Sequence, residues 1–438
     1  MTQKIDILIK NGAVLTFDEK ETVYQNGAVA IDGGDIIAIG DDVELKKNYR
    51  GTREIDAAKN IVMPGLINAH AHAAMSVLRG YADDLPLEKW LNDHIFPAEG
   101  RLMSDDMVYW GSLLSAAEMI KSGITTVSDS YFFEGAAIRT FLQAGMRGIC
   151  AQGLIDFPTP QWKDPKDQFT VAREFLDEFS EGSLVKPALF VHSAYTASHE
   201  TYLVARGLCE EYGARLFTHL AETRNEVEEV KSRYGTTPVR YLARHHVLSE
   251  NFTAVHGVWL DDEEIDIISD FGASVVHCPA SNAKLGSGVA PVSKLLKTGV
   301  PVGLGTDGPA SNNRQDLFFE MDLAAKLQKA AELDPTAMKA KHVLGMALFI
   351  GAESLGMEER VGCLKKGNAA DVIIVDTSGP HGAPIFDYSS YLVYVARGSD
   401  VITTIIDGKV VYDKGKLLTI DLAEARAKVV EIAERLGG

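Results

Sequence analysis

The sequence predicts an α/β protein, a (β/α)8 TIM barrel with a small β-sandwich domain formed by the N- and C-terminal segments. Three observations predict it. Short apolar runs alternate with longer helical stretches through the middle of the chain, which is typical of parallel strands joined by helices. Eight such strands occur there, and eight strands each followed by a helix close most economically into a barrel. Both chain ends are instead rich in short strands separated by turn residues.

The predicted barrel begins after residue 61. Its strands are Val62–His72, Ile124–Asp129, Gly148–Ile155, Ala188–His192, Arg215–His219, Phe252–His256, Ser274–His277 and Val302–Thr306. The stretches between them are mostly long enough for a crossover helix, as in Asp105–Lys121 and Glu200–Tyr212. We therefore expect the barrel domain to occupy residues 62–364.

The two chain ends supply the second predicted domain. Asn11-Gly12, Gly33-Gly34 and Asp407-Gly408 are dipeptides typical of turns between strands. The predicted strands are Ile5–Ile9, Ala13–Phe17, Ala28–Ile31, Ile36–Ile39, Asp371–Val375, Val401–Ile406 and Lys409–Tyr412. The tail Asp421–Leu436 has apolar residues at helical spacing. We expect residues 1–61 and 365–438 to form a composite β-sandwich domain with a C-terminal helix.

Composition restricts the partners and the compartment. The chain has 438 residues, with 43 Lys and Arg against 61 Asp and Glu, and a formal net charge of −18. This charge, without any basic run, disfavours nucleic acid or an anionic membrane as a partner. No membrane-length apolar stretch or signal-peptide pattern stands out, and the four cysteines are dispersed without a CxxC pair. We expect a cytoplasmic protein that acts on a small molecule, and a homo-oligomer stays open.

Polar residues fall where the predicted barrel strands end. They are His70, His72, His192, His219, His256, His277 and Asp307. Barrel active sites lie at the C-terminal ends of the strands, because the loops that follow the strands gather there. The sequence therefore predicts that these imidazoles and one carboxylate share a site.

His70 and His72 form an HxH pair, and residues two apart in a strand point to the same face. Together with His219 and Asp307 they make a set of nitrogen and oxygen ligands suited to zinc or another divalent transition metal, with water completing the site. Each residue alone has an ordinary alternative: a packed or surface histidine, or a turn aspartate. Strand four ends in His192, and Lys186 lies at its opposite end, which favours one metal over two.

Two further residues are candidates for proton transfer. Glu222 follows His219 by three residues and has the opposite strand parity, so we expect it at the rim as a proton shuttle rather than a ligand. The alternative is a solvated loop carboxylate. His256 ends its strand facing inward and could contact the attacking water, whereas the alternative is a core histidine. His277 is either structural or orients a neighbouring group.

These residues resemble a known family. Pro64-Gly65-Leu66-Ile67-Asn68-Ala69-His70-Ala71-His72, the His219/Glu222 pair and Gly305-Thr306-Asp307-Gly308 resemble the amidohydrolase superfamily, and the resemblance covers the whole chain. More narrowly, the chain resembles the methylthioadenosine/S-adenosylhomocysteine deaminases. The segments that carry this resemblance are Arg79–Leu87, Trp90 with Glu99, Cys278–Leu285 and Asp307–Asn313. Triazine hydrolases and guanine-type deaminases share parts of these segments.

The resemblance implies zinc-dependent hydrolytic deamination of 5′-methylthioadenosine, S-adenosylhomocysteine or adenosine to the inosine analogue and ammonia. The implied roles divide the site residues into three groups. Zinc would be held by His70, His72, His219 and Asp307. Glu222 would protonate the purine ring nitrogen, His256 would polarise the attacking water, and Asp307 would take the released proton. Substrate would contact Trp90, Glu99, His192 and Glu222, with Glu99 on the ribose hydroxyls.

One departure bears on the preferred substrate. The family often carries an arginine after strand three that could meet the carboxylate of S-adenosylhomocysteine, whereas this chain has Gln152. We therefore expect methylthioadenosine or adenosine to be preferred, unless Lys163 or Lys166 supplies the charge. Two alternatives remain: a deaminase or chlorohydrolase of another heterocycle (guanine, 8-oxoguanine, a triazine), and a catalytically inactive barrel acting as a binding protein.

Overall fold

The strands of the computed structural model, which describes residues 2–182 and 184–436, fall into two sheets. In chain order they are β1 (Gln3–Leu15), β2 (Val23–Asp32), β3 (Asp35–Asp41), β4 (Tyr49–Asp56), β5 (Ile61–Pro64), β6 (Leu66–Ala71), β7 (Ile124–Tyr131), β8 (Arg147–Leu154), β9 (Val185–Ser193), β10 (Leu216–Leu220), β11 (Phe252–His256), β12 (Ser274–His277), β13 (Val302–Leu304), β14 (Val372–Val375), β15 (Val401–Ile406), β16 (Lys409–Asp413) and β17 (Lys416–Leu417). The expected barrel and the sheet of the chain ends are both confirmed.

Strands β6 to β13 form the barrel. Each pairs in parallel with its neighbour in chain order, and within the described residues they make a sheet of eight strands. The interior is filled with buried apolar side chains, including Ile67, Ala151, Phe217, Val255 and Val276. The barrel is therefore a packed core whose polar chemistry is confined to its rim.

The seam between the first and last barrel strands is closed by individual hydrogen bonds. Asn68 Nδ2 donates to Thr306 Oγ1 at 2.8 Å, and the Thr306 amide donates to Asn68 Oδ1 at 3.0 Å. The Asp307 amide donates to the His70 carbonyl at 3.0 Å. These bonds place His70 beside Asp307, although 236 residues of chain separate them.

The first barrel strand is shorter than expected. The sequence predicts one strand over Val62–His72, but β5 belongs to the other sheet, where it pairs antiparallel with β14. The chain changes sheets at Gly65, where a Cβ atom would lie 2.1 Å from the Thr125 side chain. Only glycine allows that approach, so β6 begins at Leu66. The division of the chain into domains at residues 61/62 and 364/365 stays a prediction.

The second sheet combines both chain ends. Its order is β17-β16-β15-β14-β5-β1-β2-β3, with β4 paired in parallel to β1. The pairing of β5 with β14 joins the N-terminal strands to the C-terminal ones. One face covers a buried cluster that includes Ile9, Val29, Val62, Val372 and Ile405.

Helices surround the barrel and cover its loops. They are α1 (Asp42–Asn48), α2 (Leu87–Lys89), α3 (Phe96–Leu102), α4 (Asp105–Lys121), α5 (Glu134–Ala144), α6 (Gln168–Phe179), α7 (His199–Tyr212), α8 (Arg224–Tyr234), α9 (Pro238–Arg244), α10 (Asp262–Asp270), α11 (Pro279–Lys284), α12 (Val292–Lys297), α13 (Leu317–Glu332), α14 (Ala340–Met346), α15 (Phe349–Ser354), α16 (Tyr388–Tyr394) and α17 (Leu422–Glu434). The C-terminal helix α17 packs on barrel helix α4. None of the helices in residues 2–182 and 184–436 combines the length and the apolarity needed to cross a membrane.

A buried ion cluster joins the two sheets. The Arg147 guanidinium, at the start of β8, donates from Nε to Asp371 Oδ2 at 2.7 Å and from Nη2 to Asp371 Oδ1 at 3.1 Å. The same Nη2 donates to Asp407 Oδ1 at 2.9 Å. Asp371 precedes β14 and Asp407 follows β15, so this one side chain ties the barrel to the second sheet.

Candidate metal centre and active site

The strand ends at one rim of the barrel surround a cavity. Its polar lining comprises His72, Glu99, Ser130, His192, Tyr195, His219, Glu222, His256, Asp307 and Ser311. His70 lies buried directly behind this lining, with its ring centroid 4.6 Å from that of His72. The residues that the sequence places at strand ends therefore meet at one rim, with the exception of His277, which is buried outside the lining.

His70 lies in β6 and His72 directly follows it, and both present free ring nitrogens to the cluster. His72 Nδ1 contacts the Ser130 carbonyl, which can only accept, so the proton lies on Nδ1 and the Nε2 lone pair is free. That Nε2 lies 3.3 Å from Asp307 Oδ1 and 3.3 Å from His219 Nε2. Among the described residues, neither ring nitrogen of fully buried His70 has a hydrogen-bond partner. A buried imidazole without partners is costly unless something else binds it.

Asp307 is oriented by two serines. Its Oδ2 accepts hydrogen bonds from Ser281 Oγ at 2.5 Å and from Ser311 Oγ at 2.8 Å. Its Oδ1 is left facing the histidines, 3.5 Å from His70 Nε2. The residue adopts a φ of +60°, a left-handed conformation that turns the chain at the end of the last strand. Such outer contacts fix a ligand carboxylate in the way expected around a metal.

The donor set fits a divalent metal ion. One atom each from His70, His219, His256 and Asp307 lie within 4.8 Å of one another. His72 Nε2 also belongs near this group, at 3.3 Å from both Asp307 Oδ1 and His219 Nε2. Burial lowers the pKa of His70 to about 4, and burial also lowers the pKa of His72 and His219. Histidines in this state are neutral near pH 7, which is the form that binds metals.

The barrel floor beneath the cluster is apolar. The Phe190 ring, on β9, stacks on His70 with centroids 5.9 Å apart and meets the edge of His219 at 4.7 Å. Lys186 lies exposed at the opposite end of the same strand. The inward face of β9 therefore presents an aromatic ring, and no metal ligand, directly against His70 and His219.

His256 and Glu222 lie together at the edge of the cluster. His256 Nδ1 donates to Asn282 Oδ1 at 2.9 Å, which leaves Nε2 free, 3.8 Å from Glu222 Oε2. Glu222 lies two residues beyond β10, and its side chain is 12% exposed rather than solvated. Burial raises the pKa of Glu222 above its ordinary value of 4.5. A carboxyl group with a raised pKa beside a free imidazole nitrogen is suited to proton transfer.

Glu226 is a functional neighbour that the sequence analysis missed. Its carboxylate accepts from the Ala221 amide at 2.9 Å and from the Glu222 amide at 2.7 Å. Ala221 adopts a φ of +51°, so these bonds hold a strained turn that aims Glu222. The available signal was Thr223-x-x-Glu226, the pattern of a capping box, in which Thr223 caps α8.

The far wall of the cavity belongs to residues 79–102, here called the lid segment. It contributes Leu87, Trp90, Leu91, Ile95, Phe96 and Glu99. Glu99 Oε1 accepts from the Tyr131 hydroxyl at 2.5 Å. Burial raises the pKa of Glu99 to about 7, although the Tyr131 hydroxyl lowers it in part. Trp90, Glu99, His192 and Glu222, the substrate residues inferred from the sequence, all line this one cavity.

Gln152 does not line the cavity. Its side chain points away from the cavity, where Nε2 donates to Gln161 Oε1 at 3.0 Å and Oε1 accepts from the Glu134 amide at 3.3 Å. Lys163 and Lys166 do not reach the cavity either. Within the described part of the chain, no lysine or arginine lines it.

Comparison with known proteins agrees with this geometry. The profile of the amidohydrolase family matches residues 61–411. A 5-methylthioadenosine/S-adenosylhomocysteine deaminase of Syntrophobacter fumaroxidans is 45% identical over 435 residues, 99% of each chain. A 5′-deoxyadenosine deaminase of Methanosarcina mazei is 42% identical over 434 residues, 98% of this chain and 97% of the relative. A solved adenosine deaminase of Xanthomonas campestris with bound zinc superposes with a TM-score of 0.97 at 34% identity, over 100% of this chain and 99% of the other. The chain therefore belongs to the amidohydrolase family and, within it, to the methylthioadenosine/S-adenosylhomocysteine deaminases.

Proposed function

We propose that this protein is a zinc-dependent hydrolase that replaces the 6-amino group of an adenine nucleoside with oxygen and releases ammonia. The proposal rests on one cavity that is lined both by Glu222, whose pKa is raised, at the imidazole–carboxylate cluster and by buried Glu99 on the lid segment. The first suits chemistry at a purine ring, and the second suits recognition of a ribose.

The ion would be held by His70, His72, His219 and Asp307. His72 is preferred to His256 as the fourth ligand because its Nε2 lies 3.3 Å from both His219 Nε2 and Asp307 Oδ1, whereas His256 Nε2 faces Glu222. When bound, zinc lowers the pKa of water toward neutrality and acts as a Lewis acid. One ion per chain is proposed, because Phe190 leaves the floor without a further ligand.

The protein's own groups would manage the protons. Water adds its oxygen to carbon 6 while its proton passes to Asp307, and the His256 Nε2 lone pair accepts a hydrogen bond that orients the attacking molecule. Glu222 gives its proton to the adjacent ring nitrogen, so negative charge does not build up on the ring. Glu222, now a carboxylate, takes the proton of the new hydroxyl on carbon 6 and passes it to the amino group, so that the carbonyl forms, the carbon–nitrogen bond breaks and ammonia leaves. The proton held by Asp307 then returns to Glu222.

The lid segment would recognise the nucleoside. Glu99 would accept hydrogen bonds from the ribose hydroxyls, and Trp90 would wall the pocket. The relatives named above act on thioether and 5′-deoxy nucleosides of adenine according to their names. Among the described residues, no lysine or arginine lines the cavity, so the carboxylate of the homocysteine tail would find no cationic partner there. Because a charge-assisted hydrogen bond contributes about 1.5–3 kcal/mol, this supports a preference for substrates with a neutral 5′ group.

The test is ammonia release from a panel of compounds by zinc-replete protein. The arms are 5′-methylthioadenosine, 5′-deoxyadenosine, adenosine, S-adenosylhomocysteine, free adenine, guanine, 8-oxoguanine and a chlorotriazine. We expect kcat/KM to be highest for the neutral 5′-substituted nucleosides and lower by about 10⁴-fold for free adenine, which offers Glu99 no ribose hydroxyls. A base or a triazine turned over as efficiently as the nucleosides would contradict the proposal.

A further inference from the structure

A closed set of hydrogen bonds ties the lid segment to the barrel beside the cavity. Lys284, the last residue of α11, donates from Nζ to Asp83 Oδ1 at 2.6 Å, to Asn313 Oδ1 at 2.5 Å and to the Ala310 carbonyl at 3.1 Å. Asn313 Nδ2 donates to Asp83 Oδ2 at 2.9 Å. An ammonium has three donors, so all three are satisfied, and both oxygens of the lid carboxylate are used.

The charges in this set reinforce one another. Partial burial raises the pKa of Asp83, but the hydrogen bonds from Lys284 and Asn313 lower it by more, so its pKa lies below the ordinary value. The two side chains are 24% and 32% exposed, which leaves the pair less screened than a fully solvated one. Hydrogen bonds to charged groups are stronger than neutral ones. Asp83 is the lid residue in this set, whereas Lys284 ends helix α11 and Asn313 lies in the loop after the last barrel strand.

The base of the lid segment is fixed by the same asparagine. Arg79, where the segment begins, donates from Nη1 to the Asn313 carbonyl at 2.7 Å and pairs with Glu118 of α4. Asn313 adopts a φ of +72°, a conformation held by these surrounding contacts. Its main chain and its side chain therefore bind two points of the lid segment at once.

The helix that carries Lys284 also supports the reacting groups. Within α11 and its neighbourhood, Ser281 donates to Asp307, and Asn282 accepts from His256. Leu285, next to Lys284, lines the cavity. One short helix thus contacts the candidate metal ligand, the candidate water-orienting histidine and the lid segment.

We propose that Lys284, Asp83 and Asn313 form a latch that holds the lid segment in its substrate-binding position, so that Lys284 is a positioning residue for nucleoside recognition. The latch does not touch the reacting atoms. It acts through the lid segment, whose Trp90 and Glu99 face the cavity. The predicted effect on nucleoside KM rests on the proposed function, whereas the effect on the lid segment itself does not.

The test compares Lys284→Met with wild type and with Lys294→Met. Lys294 is a matched control because it lies exposed on α12 and pairs with exposed Asp262 of α10. Hydrogen–deuterium exchange of backbone amides in residues 80–99 should accelerate about tenfold or more in Lys284→Met and stay unchanged in Lys294→Met. Nucleoside KM should rise about tenfold, with kcat and bound metal unchanged. Lys284→Arg keeps the charge without the compact donor geometry and should recover part of the loss.

Unchanged exchange and KM in Lys284→Met would overturn the latch, and so would loss of metal or faster exchange over the whole protein. If Lys284→Met does not fold, Asp83→Asn takes its place, with the same direction of change and the same outcomes. If wild type turns over no nucleoside, the proposed function fails, and the exchange comparison still decides the latch. In the double variant Lys284→Met/Asp83→Asn, KM should stay within about twofold of that of Lys284→Met, because the two changes break one interaction.

Discussion

At the scale of single residues, the site is governed by where carboxylates are buried and what they face. Asp307 faces histidines and is held by two serines, which suits a ligand. Glu222 is buried beside the free nitrogen of His256, and its pKa is raised, which suits a proton shuttle. Glu99 is buried with only a Tyr131 hydroxyl as partner and can accept further hydrogen bonds. Three groups of the same chemistry thereby take different roles.

Glu222→Gln should retain the metal and lose kcat by about 10²–10⁴-fold, because an amide cannot donate a carboxyl proton. Glu222 lies outside the group of mutually close donors, so metal content by elemental analysis should be unchanged. Glu229→Gln, on the exposed face of α8, is the matched control and should retain wild-type kcat. Loss of the metal in Glu222→Gln would make this residue a ligand and refute its role.

Glu99→Gln should raise thermal stability more at pH 8 than at pH 5. The pKa of Glu99 is about 7 in the folded chain against 4.5 as its ordinary value, so the folded state binds an extra proton between these pH values. The free energy of unfolding therefore falls as pH rises from 4.5 to 7, by on the order of 3 kcal/mol, and the neutral amide removes this loss. Nucleoside KM should rise in the same variant. Equal differences in Tm from wild type at both pH values would show that Glu99 does not titrate in this range.

The sequence predicted the members of the residue cluster but not all their neighbours. Strand-end position was sufficient to bring His70, His219 and Asp307 together, because parallel strands end at one rim. The direction of the Gln152 side chain, which points to Gln161, could not be read from the sequence because strand parity requires the register. Glu226 was missed because the Thr223-x-x-Glu226 pattern indicates only a helix start, whereas its contacts with the Ala221 and Glu222 amides depend on the turn before the helix.

At the scale of elements, the two sheets depend on a few buried junctions. The strand expected over Val62–His72 divides at Gly65, since the pairing of β5 with β14 is set by residues more than 300 positions apart. No local pattern reveals such a register, because both halves are equally apolar. Arg147 illustrates the same difficulty, for its partners Asp371 and Asp407 are distant in sequence.

Arg147→Met should destabilise the protein strongly, by about 3–5 kcal/mol, because it leaves Asp371 buried without its counter-charge. The two side chains are 6% and 4% exposed. Arg53→Met is the matched control, since its pair with Asp413 is 41% and 28% exposed and should contribute about 0–1 kcal/mol. Thermal melts of the two variants should differ clearly in Tm. Similar small losses in both would show that the Arg147 cluster is not a principal junction of the sheets.

At the scale of the whole molecule, the fold and the family were both predictable from the chain. An error of one or two residues at a strand boundary does not change the alternation of strands and helices. It does not change the position of the polar residues after the strands either. An inactive binding protein is disfavoured, because such a protein has no use for a complete donor set together with Glu222, whose pKa is raised, beside it. The lid geometry was beyond prediction, since it depends on contacts such as that of Lys284 with Asp83.

Metal removal should affect stability and activity together. A ligand that binds only the folded chain stabilises it, so dialysis against a chelator should lower Tm and abolish deamination, and added zinc should restore both. Elemental analysis should give about one ion per chain. His219→Ala should bind no ion, and its Tm should not respond to zinc, because the remaining donors lose geometry and affinity. Two ions per chain in wild type would overturn the single-site assignment.

The proposed reaction in this cavity adds water to carbon 6 of an adenine nucleoside and expels ammonia. It is tested most directly by incubating zinc-replete protein with 5′-methylthioadenosine in ¹⁸O-labelled water and analysing the products by mass spectrometry. The expected products are 5′-methylthioinosine carrying one ¹⁸O atom on the ring and one ammonia per molecule, and Glu222→Gln at matched metal content should form them about 10²–10⁴-fold more slowly. Unchanged nucleoside, or cleavage that frees adenine without ammonia, would contradict it.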